Sequence, residues 1–334
     1  MSLRLISALT SRLRERLERF RLEHPQERRP LQISAWVALG LFTLIVATGA
    51  GVRLTGSGLG CSNWPNCSDQ SLTPQNGHAY IEFGNRLITT PVTLAALACL
   101  IFAWLQPDRR RDYRTLSKWL LGLVAAQALL GAIAVWTDLN WTTVSGHYLL
   151  SMVSLTLCVI LVWRLRQEAA GAADEGVADQ RVSRAVRGLA ISGAAVITLG
   201  TLVTASGPYA GGQGTGDVVQ RLSVFGADSF PTMVMIHARL AAVFGVVAVA
   251  AWLYARARSI TALTAPLTAL CLLVAVAGVI GQLQYHVYDY PAALVWAHVV
   301  VAALLWNACT WLWLAARHGA AAPAAAPHDA FGRT

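Results

Sequence analysis

Three histidines, His147, His237 and His298, each stand alone within a long apolar segment of the sequence. If these segments are membrane-spanning helices that rise about 1.5 Å per residue, each histidine lies roughly 10 Å below the same membrane surface. Ionisable residues inside a membrane are costly, and they mark ligand sites, proton relays or ion pathways. Because imidazole is a common metal ligand, three histidines at one depth predict ligation chemistry inside a helical bundle.

Heme is the metal group that this arrangement favours. Zinc sites usually combine three or four ligands, often with cysteine or carboxylate among them, whereas here each histidine comes from a separate segment. Helix bundles hold a porphyrin between facing histidines, and imidazole is a common axial ligand of heme iron. His237 and His298, in the second half of the chain, are predicted to form a bis-histidine pair, which suits electron transfer.

The first half of the chain carries a different polar set. His147 is expected to face the segment that contains Glu82 and Asn85, and asparagine is a poor heme ligand. Such a site can have one protein ligand and an open face beside a carboxylate. Glu82 is either the partner of Arg86, four residues later on the same helix face, or a base or charge stabiliser beside a substrate. We favour the second interpretation because Glu82 is the only acidic residue that we place within a span.

Two arginines, Arg86 and Arg239, are predicted to lie near the membrane edge. They are candidates to pair with heme propionates. The alternative is that their side chains extend along the helix to place the charge in the interface.

Two cysteines, Cys61 and Cys67, flank the sequence Ser-Asn-Trp-Pro-Asn in the first outer loop. The outer side of a membrane is oxidising, so a disulfide is expected there. Because the loop is short, we expect it to stabilise the fold by about 2–3 kcal/mol. A redox role above the Glu82 segment is the alternative. The other four cysteines lie in spans and are expected to pack as small apolar residues.

The apolar segments define the class of protein. The chain has 334 residues, of which 55% are hydrophobic and 13% charged, and its mean hydropathy is +0.51. Because soluble domains carry about 25% charged residues, this composition excludes an ordinary soluble domain, a disordered chain and a disulfide-rich mini-protein. The alternating segments of about 10 residues that a membrane barrel requires are not found in the sequence. We expect an all-α integral membrane protein.

Eight segments are long enough to cross a bilayer, which needs roughly 20 mostly apolar residues. They are residues 31–54, 81–105, 116–137, 141–163, 187–207, 231–255, 259–284 and 291–316. All but four of the 26 lysines and arginines lie on the side of the chain termini. By the positive-inside rule both termini are cytoplasmic, in a multi-pass cell-membrane protein whose histidines lie toward the outer face. The net charge of +9 is then a topology signal, and no nucleic-acid partner is expected.

The two halves of the chain resemble each other. Thr55-Gly56-Ser57-Gly58 ends the first span, and Thr204-Ala205-Ser206-Gly207 ends the fifth. Arg-Leu pairs follow in the second and sixth spans, and Gly131 precedes His147 by nearly the spacing at which Gly281 precedes His298. Four spans per unit is an even number, so the units have the same orientation. We expect two parallel-oriented four-helix bundles, residues 31–165 and 187–316.

Three further segments flank or join these bundles. Residues 1–30 form a basic N-terminal segment, in which residues 2–23 are either an amphipathic helix on the inner leaflet or a solvated helix that enforces topology. We expect residues 166–186 to be a cytoplasmic linker and residues 317–334 to be a disordered cytoplasmic tail.

Several of these motifs together resemble one family. The motifs are Arg53-Leu54-Thr55-Gly56-Ser57-Gly58-Leu59-Gly60-Cys61, Trp64-Pro65-Asn66-Cys67, Glu82-Phe83-Gly84-Asn85-Arg86-Leu87, His147, His237-Ala238-Arg239 and His298. With the eight duplicated spans, they cover about residues 35–316 and resemble the heme A synthase family.

The resemblance implies an oxidoreductase that oxidises the C8 methyl of heme O to the formyl group of heme A. The reaction would pass through hydroxylated intermediates and serve cytochrome oxidase biogenesis. Heme b is the implied cofactor and heme O the implied substrate. The implied partners are a heme O synthase as supplier, the cytochrome oxidase assembly machinery and membrane lipid.

The resemblance also assigns roles to residues. It implies heme b at His237, His298 and Arg239, heme O at His147, Asn85 and Arg86, catalysis at Glu82, and a disulfide between Cys61 and Cys67. Many members of the family have a histidine at the position of Asn85. His78 can take that place only if the start of its helix bends. Some members also have a cysteine pair in the third outer loop, whereas residues 208–230 of this chain contain none.

Two other functions compete with this interpretation. A membrane cytochrome b that only relays electrons accounts for His237 and His298, but it leaves Glu82 and the Cys61–Cys67 loop without a role. A carrier for heme or another amphiphile needs a site that is reachable from both sides. The polar residues of this chain are instead predicted near one face.

Overall fold

The structure is a computed structural model that describes residues 16, 29–68, 71, 73–106, 111–170, 177, 179–209, 211–212, 215–216, 219–286 and 290–317. Eight long helices occupy most of this part of the chain: α1 Arg29–Leu54, α2 Gly77–Leu105, α3 Arg111–Trp136, α4 Trp141–Ala169, α5 Gln180–Ser206, α6 Ser229–Ala257, α7 Thr261–His286 and α8 Ala292–Ala315. A 3-10 turn at Gly226–Asp228 precedes α6. Each of these eight regions is long and apolar enough to cross a membrane, which confirms the predicted all-α membrane class with eight spans.

Some helix ends differ from the sequence prediction. Helix α2 begins four residues earlier than predicted because the Asn76 side chain caps it, accepting from the Ala79 N–H at 2.9 Å. Helix α5 begins inside the predicted linker 166–186, where Asp179 accepts from the Arg181 N–H at 2.7 Å. A helix begins where its first free N–H groups find acceptors, and this position need not coincide with the start of the apolar segment. The predictions for residues 2–23 and for the tail after residue 317 fall outside the described residues, apart from residue 16.

The helices pack as two rings of four. In the first half, α1 and α3 each contact both α2 and α4, and in the second half α5 and α7 each contact both α6 and α8. The halves meet where α8 contacts α1 and α4, and where α4 contacts α5. These contacts place α2 diagonally across from α4, and α6 across from α8. The predicted division of the chain into two parallel-oriented bundles as separate units stays a prediction.

One end of the molecule, which we call the site end, gathers four interhelical connections. The Gly58 N–H donates to the Gly211 carbonyl at 2.8 Å, so the loop after α1 touches the loop after α5. Asn140, between α3 and α4, donates to the Gln220 side chain at 2.9 Å. The Tyr209 hydroxyl donates to the Tyr290 carbonyl, just before α8, at 2.7 Å. The three predicted histidine ligands lie within the first three turns of helices that start at this end.

Two tryptophans of α8 join the halves by hydrogen bonds. The Trp296 indole donates to the Ala47 carbonyl of α1 at 2.8 Å. The Trp306 indole donates to the Met152 carbonyl of α4 at 2.7 Å and lies 3.0 Å from the Thr156 hydroxyl. Polar groups at membrane depth need partners inside the protein, since lipid offers none. These two indoles therefore fix the position of α8 against the first half.

Replacing Trp306 with Phe should destabilise the folded protein by at least about 0.5–1.5 kcal/mol, because an interhelical hydrogen bond is lost together with part of the ring volume. Chemical denaturation in mixed micelles measures the change. Trp119→Phe is the matched control, since Trp119 is 65% exposed on α3. Equal losses in the two variants would contradict a bridging role for Trp306.

Candidate functional site

The second half of the molecule brings two imidazoles close together. His237 of α6 and His298 of α8 have ring centroids 6.2 Å apart, with the ring planes at 73°. Imidazoles that bind one metal from opposite sides, each through a nitrogen about 2 Å away, have centroids roughly 6 Å apart. The spacing therefore fits a single metal between the rings.

Further features of the pair fit heme rather than a metal bound by protein alone. His237 Nδ1–H donates to the Val196 carbonyl of α5 at 3.1 Å, which leaves Nε2 for a metal and fixes the ring orientation, as is usual for ligating histidines. Within the part of the chain that the structure describes, no group of three or more His, Cys, Asp or Glu side chains could hold a metal ion. A porphyrin supplies the in-plane ligands itself, so two facing histidines are sufficient.

A glycine of a neighbouring helix lies beside each candidate histidine. A Cβ atom added to Gly131 of α3 would lie 3.5 Å from Cε1 of His147, and one added to Gly281 of α7 would lie 3.6 Å from Cε1 of His298. The corresponding distance from Gly200 of α5 to His237 is 3.4 Å. The sequence repeat marked Gly131 and Gly281. The contact of Gly200 was not predicted, since no nearby sequence feature connects Gly200 to a histidine on another helix.

Glu82 of α2 is buried, with 6% of its surface exposed, and both of its carboxylate oxygens accept hydrogen bonds. Arg86 Nη2 lies 2.5 Å from Oε1, and the Cys61 N–H donates to Oε2 at 2.7 Å. The pairing of Glu82 with Arg86, which was the less favoured of the two interpretations of the sequence, is therefore present. The Cys61 amide was not predicted, because its approach depends on how the first loop folds back onto α2.

The first loop is held over Glu82 by covalent and polar contacts. Cys61 and Cys67 form a disulfide, as predicted, and both side chains are buried. Arg86 Nη1 donates to the Asn63 carbonyl at 3.0 Å and lies 3.3 Å from that of Asn66. Arg86 thus connects the loop to the carboxylate. Its predicted contact with a heme propionate stays a prediction.

Residues 57–60 of the first loop have a packing function. A Cβ atom on Gly60 would lie 2.5 Å from the His78 carbonyl carbon and oxygen, so only glycine permits the loop to approach α2 this closely. The Ser57 hydroxyl lies 2.8 Å from His78 Nδ1. His78 is the second residue of α2, which continues as a helix through Asn85. The structure therefore places His78 in the loop contact rather than beside Asn85.

The remaining predicted residues occupy different environments. His147, the seventh residue of α4, is half-buried, and Gln127 of α3 lies 3.3 Å from its carbonyl oxygen. Asn85 accepts a hydrogen bond from the Thr48 hydroxyl of α1 at 2.7 Å. Arg239 is exposed on α6. Thr48 was not identified from the sequence, where it lies 37 residues from Asn85.

The fold and the site together define a multi-pass helical membrane protein that has a facing histidine pair in one half and a buried carboxylate under a disulfide-bonded loop in the other. The chain belongs to the cytochrome oxidase assembly protein family, whose model (COX15-CtaA) matches residues 32–310.

Curated relatives of the chain include heme A synthases. That of Lysinibacillus sphaericus (strain C3-41) is 31% identical over 141 residues, which cover 41% of this chain and 45% of the relative. That of Geobacillus thermodenitrificans is 30% identical over 145 residues, covering 41% and 44%. The chain is also 35% identical over 104 residues to a protoheme IX farnesyltransferase of Chloroflexus aurantiacus, covering 30% and 17%. The resemblance to the heme A synthase family is thus confirmed. The chain spans less than half the length of these curated relatives.

Arg86→Gln should lower the free energy of unfolding by about 3–5 kcal/mol, because it leaves the Glu82 carboxylate buried without its cation. The matched control is Arg164→Gln, which breaks the pair with Asp112, whose side chains are 33% and 35% exposed. We expect that variant to lose only about 0.2–1 kcal/mol.

The double variant Glu82→Gln/Arg86→Gln should be more stable than Arg86→Gln alone, because it removes the unpaired charge. Denaturation of all four proteins in one micelle system gives the comparison. A double variant no more stable than Arg86→Gln would show that the arginine acts only through the loop carbonyls.

Proposed function

We propose that this protein is a heme A synthase that oxidises the C8 methyl of heme O to a formyl group, through hydroxylated intermediates, for cytochrome oxidase biogenesis. The observation that carries the proposal is the buried Glu82 carboxylate, held by Arg86 and the Cys61 amide, in a chain of this family. The heme A synthases among its relatives and the 6.2 Å spacing of the His237 and His298 rings in the other half support it.

Each half has its own part in the proposal. His237 and His298 would hold heme b, which when bound accepts and passes on single electrons. Arg239, exposed two residues after His237, is available to a propionate at the edge of the site. His147 would bind heme O, the substrate, in the first half, where its ring lies beside Gly131. This division keeps the reacting molecule and the electron acceptor in separate bundles.

Glu82 would act on the substrate as a fixed negative charge or as a base. Oxidation of a methyl with oxygen from water removes two electrons and two protons for each hydroxyl formed, and positive charge develops at the carbon before water adds. The donors on Oε1 and Oε2 hold the carboxylate in one orientation before reaction, and such preorganised charge stabilises a developing cation. A carboxylate has about four acceptor positions, so Glu82 would take the proton of an attacking water while it stays bound to Arg86 and Cys61.

Charge placement supports an orientation with both termini in the cytoplasm of a cell-membrane protein and the heme sites toward the outer face. At the end opposite the site end, basic side chains lie over aromatic rings, such as Lys118 over Trp104 at 5.2 Å and Arg256 over Trp252 at 5.0 Å. Aromatic and basic residues concentrate at membrane interfaces. Heme O, delivered by a heme O synthase, would enter laterally from membrane lipid with its farnesyl chain in the bilayer. The product would pass to the cytochrome oxidase assembly machinery.

A membrane cytochrome b that only relays electrons is the second candidate. The His237–His298 pair is sufficient for that function, but the relay gives Glu82 and its loop no role. A carrier for heme or another amphiphile is less well supported, because the candidate site residues lie within the first three turns of helices at one end.

Glu82→Gln should reduce heme A formation by about 100-fold or more, because a neutral amide neither stabilises a cation nor accepts a proton. The measurement is heme extraction and mass identification after co-expression with a heme O synthase. Heme b absorbance reports whether the variant is folded, and Asp112→Asn, at the opposite end of the bundle, is the control. Wild-type amounts of heme A from Glu82→Gln would exclude the catalytic role.

The histidine assignments predict separate losses. His298→Ala should remove the bound heme b, whereas His147→Ala should keep heme b and lose bound heme O. His286→Ala, at the end of α7 where the ring packs against Tyr285 at 4.6 Å, should keep both. Pyridine hemochrome assays and mass spectrometry of extracted heme distinguish these outcomes. Retention of heme b by His298→Ala would overturn the assignment.

A further inference from the structure

The two halves place their candidate ligands at equal positions along the helices. His147 and His298 are each the seventh residue of their helices, α4 and α8. Asn85 and His237 are each the ninth residue of theirs, α2 and α6. Because α2 is diagonal to α4 as α6 is to α8, Asn85 occupies in the first half the position that His237 occupies in the second.

The Asn85 side chain is held against α1. Its Oδ1 accepts from the Thr48 hydroxyl at 2.7 Å. Its Nδ2 lies 4.0 Å from the place of a Cβ on Gly49, so both ends of the carboxamide lie against the neighbouring helix. The oxygen is the atom through which a neutral amide binds a metal, and here it is engaged in a hydrogen bond.

His237 shows how a ligand at the same position is arranged. It also contacts the preceding helix, since its Nδ1–H donates to the Val196 carbonyl of α5. Its ring nevertheless extends far enough toward α8 to lie 6.2 Å from that of His298, with Nε2 free. Asparagine has no imidazole nitrogen to offer, and its one metal-binding atom, Oδ1, is held toward α1 by the Thr48 hydroxyl.

We propose that the first half binds its heme through His147 alone, which leaves the opposite axial position open to a small exogenous ligand. This inference rests on the proposed function in one respect, which is that heme occupies the first half. Glu82 lies three residues before Asn85, on the same side of α2. The open position is therefore on the side of the buried carboxylate, whereas the second half has both axial positions filled.

The test uses the full-length protein, co-expressed with a heme O synthase and purified with heme in both halves, and carbon monoxide as the probe. A heme iron with one protein ligand is high-spin when ferric and binds carbon monoxide when reduced, and bis-histidine iron is low-spin and resists it. Wild type should contain both kinds of heme. Wild type that is entirely low-spin and does not bind carbon monoxide would overturn the inference.

Two reciprocal substitutions test whether the residue at this position determines the axial ligation. Asn85→His should convert the first site to low-spin heme and reduce carbon monoxide binding at least tenfold. His237→Asn should convert the heme of the second half to a high-spin heme that binds carbon monoxide. Because each variant tests a different half, the inference stays testable if one of them fails to fold. His147→Ala should abolish the carbon monoxide-binding heme, and survival of that signal would also overturn the inference.

The outcomes separate this inference from the proposed function. Wild type that makes heme A but holds only low-spin heme would contradict the open position alone. Wild type that binds carbon monoxide at a His147-dependent heme but makes no heme A would contradict the synthase proposal alone. Spin state and carbon monoxide binding are read from absorption and paramagnetic resonance spectra, without turnover.

Discussion

The structure depends on one constraint, which is that polar groups at membrane depth must find their partners within the protein. This requirement makes every span a helix. It also explains why the Trp296 and Trp306 indoles donate to carbonyls and hydroxyls of the other half. The same constraint applies most strongly to Glu82. Its carboxylate lies among apolar helices and is tolerated because Arg86 and the Cys61 amide reach it.

A buried ion pair is weak support for stability, since the loss of hydration offsets much of the attraction between the charges. The Glu82–Arg86 pair is better explained by the orientation that it gives to the carboxylate. Arg86 also binds loop carbonyls, and the Cys61–Cys67 disulfide limits the loop conformations that present the Cys61 amide. Removal of any one of these contacts would leave the carboxylate less well defined. The loop, the disulfide and the arginine thus serve a single side chain.

The sequence was sufficient for the features that depend on periodicity. Span number follows from apolar length, and the Glu82–Arg86 pair follows from a spacing of four residues on one helix. The sequence was insufficient to predict contacts between segments that are far apart in the chain. The Thr48 contact with Asn85 and the Gly200 contact with His237 depend on which helix faces lie together, which hydrophobicity does not specify in lipid. The starts of α2 and α5 were misplaced because a single capping side chain decides them.

The two candidate sites are joined by a short bonded path. Trp296 precedes His298 by two residues and donates to the Ala47 carbonyl. The next residue, Thr48, donates to Asn85. Any shift of α8 against α1 would therefore move the second site relative to the first. For the proposed function this matters because electrons removed from a substrate in one half must reach an acceptor in the other. A fixed interface between rigid bundles keeps the distance between the two sites constant. The equivalent position is Asn85 in the first bundle and His237 in the second. Two bundles with the same helix arrangement can thus hold two sites in similar geometry, and a single side-chain difference can give the two sites different chemistry.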